Sequence, residues 1–120
     1  MATSTKPPAY REMIDELVEV CRFGQGQIGA NRVRAGVWNK SATADFIPEQ
    51  HQINMLLARL PQGDRDVIAG MLAGAVVTGV FETLKVLEMF EVEPFTDGYE
   101  DSPFNDFIGR LDDWDWPEAQ

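Results

Sequence analysis

Residues 67–81 read VIAGMLAGAVVTGVF, fifteen positions without a formal charge between Asp66 and Glu82. The run is longer than an ordinary strand and shorter than the roughly 20 apolar residues a bilayer span needs. It reads as a helix, and Gly70, Ala73, Gly74, Ala75 and Gly79 leave so little bulk that a second helix can approach closely. Each glycine costs a helix about 1 kcal/mol relative to alanine, so burial on most sides is the expected compensation. Asp64 is expected to cap this helix. Beyond Glu82 an amphipathic pattern through Leu84, Leu87 and Phe90 carries it to about Glu91.

Upstream, Pro61-Gln62-Gly63 breaks the chain. Before the break, Pro48 opens a helix whose inward side is Ile53, Leu56, Leu57 and Leu60. Residues 37–47 have no period, and Trp38 and Phe46 are expected to pin that loop to the core. Residues 1–8 form a leader, after which Tyr10, Met13, Ile14, Leu17 and Cys21 recur at helical spacing opposite Arg11, Glu12, Asp15, Glu16 and Glu19. Gly24, Gly26 and Gly29 loosen this helix, which is expected to run bent to about Ala35, where Gly36 stops it.

Downstream, Asp97-Gly98 has the turn chemistry to close a minimal β-hairpin between Phe95 and Tyr99. Ser102-Pro103 then starts a short helix with Phe104, Phe107, Ile108 and Leu111 inward. Residues 112–120 form an acidic tail holding Trp114 and Trp116. The expected fold is mainly α: a small bundle of three principal helices around the Gly/Ala-rich one, with a short C-terminal helix. It forms a single domain over residues 1–120, with no second core.

Composition narrows the function. A chain of 120 residues that is 44% hydrophobic can build one core unaided. One cysteine excludes an internal disulfide, and the N-terminus lacks the pattern of a signal peptide, so a cytoplasmic location is expected. Residues 1–81 hold eight acids and eight bases, whereas residues 82–120 hold twelve acids against Lys85 and Arg110. The whole net charge of -10 therefore belongs to the last third of the chain. A field of that sign repels phosphate backbones and attracts basic protein surfaces. No direct nucleic-acid partner and no membrane partner is expected.

The motifs with chemical meaning fail on context. Gly24-Gln25-Gly26-Gln27-Ile28-Gly29 spells Gly-x-Gly-x-x-Gly, yet a helix enters it where a dinucleotide site requires a strand. A calcium loop aligned on Gly98 would put Phe95 and Phe104 at liganding positions. Cys21 and His51 form the one conceivable nucleophile–base pair, and nothing in the sequence supplies a third orienting group. No catalytic residue, cofactor site or metal site is assigned.

The acidic third reads first as a solvated, solubilising tail, as runs of like charge commonly are, and in the sharper reading as a surface for contact with another macromolecule. Glu91, Glu93, Asp97, Glu100, Asp101, Asp112, Asp113 and Asp115 are the candidate contacts for a basic protein surface. Trp114 and Trp116 either fold back over a groove, the favoured reading, or act as apolar anchors. This is how an immunity-type or phage-type inhibitor of a basic partner would work. The alternative is a homo-oligomeric scaffold module joined through surplus apolar surface at Tyr10, Trp38, Phe46 or the glycine-faced helix. A more distant alternative is a small-ligand-binding or enzymatic role in a pocket involving His51 and Cys21.

The arrangement resembles a group of small bacterial domains of unknown function. The residues carrying the resemblance are Tyr10, Arg65-Asp66-Val67-Ile68-Ala69, Asp106-Phe107-Ile108-Gly109-Arg110 and Trp116-Pro117-Glu118. A histidine expected in the middle of the third helix is replaced by Val80 and Phe81. The resemblance implies a helical fold and a bacterial or phage origin, and it implies no catalysis.

Overall fold

Pro8 sits in the first helical turn, where its missing N–H costs nothing, and opens helix α1 (Pro8–Arg22) in the computed structural model, which describes residues 6–117. The first five residues of the expected leader and the last three of the expected tail lie outside the described residues. Along α1 the buried side is Tyr10, Ile14, Val18 and Cys21, while Met13 and Leu17 line a groove beside it. The bent helix expected to reach Ala35 is instead broken. α1 ends at Arg22, a 3-10 turn covers Gln25–Gln27, and α2 runs Ile28–Ala35. The break is tight: a Cβ on Gly26 would lie 2.6 Å from the Val20 carbonyl oxygen. Gly36 ends α2 in the left-handed region at φ 84°, as its position in the sequence suggests.

Helix α3 (Pro48–Arg59) buries one residue fully, Leu57, with Ile53 and Leu60 half-buried. Leu56, expected inward, faces solvent. Trp38 does pin the preceding loop, its ring lying over Gly29 in the cluster that also takes in Leu72. Asn54 holds the same loop: its carboxamide oxygen accepts from the Trp38 and Asn39 N–H groups at 2.7 and 3.1 Å, and its amide donates to the Asn39 carbonyl at 2.7 Å. Phe46 does not pin it and is 57% exposed.

Helix α4 (Gln62–Met89) is the spine of the molecule. It starts two residues before Asp64, which lies in the first turn and makes no side-chain cap. Its N-terminal half packs on α2 around Ala30, Val33, Leu57 and Ala69, and its C-terminal half packs on α1 and α5 around Tyr10, Ile14, Val18, Leu84 and Phe107. The core is thus two clusters joined by one helix, where the sequence suggested one. At 62 × 27 × 18 Å and a radius of gyration of 18.6 Å, the chain is longer than the roughly 14 Å radius of a compact domain of this length.

The glycine-rich helix is the main departure from expectation. Of 28 residues only Ala69 and Leu84 are fully buried, and nothing lies within 4 Å of a Cβ built on Gly70, Gly74 or Gly79. Among the described residues no close neighbour packs on those three glycines. The full helix is also longer than its uncharged stretch, and by length and composition α4 is apolar enough to cross a membrane.

Helix α5 (Pro103–Leu111) begins where expected, with Ser102 at the N-cap and Pro103 next. Ser102 makes no cap with its side chain; the hydroxyl donates to Glu88 Oε2 at 2.9 Å instead. The minimal hairpin is a single antiparallel bridge between Gly98 and Asp101, with no strand among the described residues.

Candidate functional site

The acidic end is assembled by one buried carboxylate. Asp106, in the first turn of α5, has no exposed surface. Its Oδ2 accepts from the Tyr10 hydroxyl at 2.5 Å and from the Tyr99 N–H at 2.8 Å, and its Oδ1 accepts from the Glu100 N–H at 2.9 Å. One side chain therefore ties α1, the 95–101 loop and α5 together. Burial, together with the Asp106 charge it faces, pushes the Tyr10 hydroxyl far above its ordinary pKa, so it stays a donor. The sequence reading missed Asp106. The available signal was its place beside Phe107 on the inward stripe of α5, three residues after Pro103.

The tail packs in order. From Leu111, whose carbonyl accepts from Arg22, it turns back along α1 towards Arg11, which donates to the Pro117 carbonyl at 2.7 Å. The Trp116 indole N–H donates to Asp15 at 3.0 Å, and its ring lies 6.1 Å from Tyr10 and 5.4 Å from both Tyr99 and Trp114. Guanidinium groups of Arg11 and Arg110 sit 5.4 and 5.5 Å from that ring. Trp114 and Trp116 are thus folded back and half-buried, the favoured of the two arrangements, and neither projects as a free anchor.

The eight candidate carboxylates, Glu91, Glu93, Asp97, Glu100, Asp101, Asp112, Asp113 and Asp115, are all exposed. They form two groups. The 91–101 loop reaches the start of α1, where Lys6 pairs with Asp97, and the 112–115 group meets its end, where Arg22 pairs with Asp113 at 3.1 Å. The 15 residues of α1 separate those contacts by about 20 Å. Glu12, Glu16 and Glu19 lie exposed along the helix in between. Counting charge along the chain hid these three, because bases distant in space cancelled them. Counted in space, residues 6–22 and 76–117 carry fifteen acids against five bases, and residues 23–75 carry four acids against five bases.

Those five bases are engaged inside the lobe. Lys6, Arg22, Lys85 and Arg110 pair with Asp97, Asp113, Glu82 and Asp15, and Arg11 is held by aromatic rings and backbone oxygen. Among the described residues Glu12, Glu16, Glu19, Glu91, Glu93, Glu100, Asp101, Asp112 and Asp115 form no ion pair. The outward field is therefore of one sign.

Cys21 is buried in the α1 cluster, which pushes its thiol pKa up and keeps it protonated. His51 is on α3, at the other cluster. No group of three or more metal-ligating side chains occurs among the described residues. A groove of about 600 Å³ lies between α1 and α4, lined by Met13, Leu17, Val76, Val80, Leu84 and Phe95, with Glu16 its one charged wall. The glycines of Gly24–Gly29 let α1, the 3-10 turn and α2 close on one another, and no strand enters them.

Residues 3–118 match the model of a family of unknown function (DUF6547). No curated protein and no solved structure matches the chain.

Proposed function

The chain belongs to this family of unknown function, and from that premise we propose that it is a non-enzymatic protein-binding module whose working surface is the anionic lobe. The partner is a protein with a basic surface, bound in the way an immunity-type or phage-encoded inhibitor covers its target. The observation that carries the reading is the engagement of all five of the lobe's cations within the lobe, which leaves nine exposed carboxylates unpaired among the described residues. Surface acids are ordinarily interspersed with bases; a one-sign surface on an ordered scaffold costs self-repulsion and speeds encounter with a basic partner. Asp106 and the packed tail fix the loops that bear the acids, so little ordering is left to be done on binding.

The test is paired capture from the native host with the full chain and with a variant neutralised at Glu91, Glu93, Glu100, Asp101, Asp112 and Asp115 (Glu→Gln, Asp→Asn). A basic protein held by the first, lost with the second and released by salt supports the reading. Capture that is unchanged by neutralisation, or insensitive to salt, ends it.

A further inference from the structure

We propose that the cleft between α2 and the loop that follows it binds a small phosphomonoester carried on a flat ring. Gly36 ends α2 in the left-handed region and turns the chain back, so residues 37–41 lie beside the helix they have just left. The space between them holds about 730 Å³, within the range of small-molecule sites. Arg32, Lys40 and Ser41 stand on its walls, and Ala35, Val37 and Trp38 give it an apolar side.

The charge of this cleft is opposite to that of the lobe at the other end. No carboxylate lines it. Arg32 and Lys40 form no ion pair among the described residues, and neither does Arg34, which donates to Asn31 on the rim at 3.1 Å. Behind the turn the Arg65 guanidinium lies against Gly36, its Nε buried with no hydrogen-bond partner among the described residues. The carbonyls that end α2 do not oppose an anion here. Those of Arg32 and Val33 accept from the Gly36 and Val37 N–H groups, and that of Arg34 accepts from the Gln62 amide. The molecule is 62 Å long, against a Debye length of about 8 Å at physiological salt, so the acidic lobe does not cancel this field.

The cleft is also held ready. Besides the Asn54 clamp on the Trp38 and Asn39 backbone, the Asn39 side chain donates to Gln50 at 2.7 Å and accepts from the Ser41 N–H at 2.9 Å. Three carboxamides thus fix a loop without regular structure. The Trp38 ring lies over Gly29, with the Arg32 guanidinium 5.6 Å from its centre. A loop set in advance loses little freedom when a ligand enters.

These features name the ligand. Two unpaired cations match a phosphomonoester, which carries nearly two negative charges at neutral pH, better than a carboxylate, which carries one. The apolar side and the indole favour a flat ring on that phosphate. A nucleoside monophosphate and an aryl phosphate share this chemistry.

The test is titration calorimetry of the full chain with adenosine 5′-monophosphate and phenyl phosphate, against adenosine, inorganic phosphate and benzoate. At least one ester should bind below about 1 mM, and at least about 10-fold more tightly than any control. Binding of the nucleotide alone assigns the site to nucleotides; binding of phenyl phosphate assigns it to aryl phosphates at large. Arg32→Gln and Lys40→Gln should each weaken the bound ester at least about 10-fold, with helix content unchanged because both side chains are exposed. Neutralising the acids of the other lobe should leave the affinity as it was, which separates this site from the protein-binding surface. No heat from either ester at millimolar concentration, a control that binds as tightly as the esters, or full affinity in both variants would each overturn the proposal.

Discussion

Tyr10 and Asp106 stand 96 residues apart in the chain and 2.5 Å apart in the fold, hydroxyl to carboxylate. Both are fully buried, so the bond is made where water cannot replace it. Tyr10→Phe removes one charge-assisted hydrogen bond and should destabilise the chain by about 1.5–3 kcal/mol. Asp106→Ala should cost more, because the Tyr99 and Glu100 N–H groups lose their acceptor as well. Urea denaturation of the two variants checks both the sign and the order.

The same pair predicts an alkaline limb. The Tyr10 pKa is raised in the fold, chiefly by burial, whereas the unfolded side chain titrates near 10. Its contribution is complete below pH 10 and is lost as pH rises above it, because the unfolded chain then releases a proton that the folded chain keeps. Stability should fall by about 1.4 kcal/mol per pH unit above pH 10 from this group. The difference between wild type and Tyr10→Phe across that range isolates the slope; parallel curves would contradict it.

Asp15 serves two groups at once, Arg110 Nε at 2.7 Å and the Trp116 indole at 3.0 Å. Asp15→Ala should free the tail with a modest loss of about 1 kcal/mol, since the pair is partly solvated. Limited proteolysis should then cut within 112–117 while the helices remain intact.

Two glycines should respond oppositely to alanine. Gly26→Ala would drive a Cβ against the Val20 carbonyl and should destabilise by more than 1 kcal/mol. Gly79→Ala meets open space inside α4 and should stabilise by about 0.5–1 kcal/mol through helix propensity. Thermal denaturation of the two variants, measured side by side, decides this.

The helical class and most helix boundaries were legible because they rest on local rules: prolines at the starts of α1, α3 and α5, Gly36 at the end of α2, and apolar spacing between. The environment of α4 was not. Apolar composition reports that a helix avoids water, and only tertiary structure reports what covers it. Asp106 was passed over for the converse reason, since a carboxylate on an inward stripe is buried only if partners from elsewhere in the chain satisfy it. The two tryptophans were legible as large rings needing cover, and Tyr10, Tyr99 and two guanidinium groups provide it for Trp116. The acids of α1 were visible as residues and invisible as part of the site, because chain order mixed them with bases at the far end.

A rod with a separate nucleus at either end need not melt as one body. Trp38 belongs to the cluster around Ala30 and Ala69, and Trp116 to the cluster around Tyr10 and Phe107. These indoles are fluorescent reporters placed on different clusters of the core, joined through α4 and the 3-10 turn beside it. Their signals would carry different midpoints on heating, and a ligand seated on one nucleus would raise that midpoint and leave the other where it was.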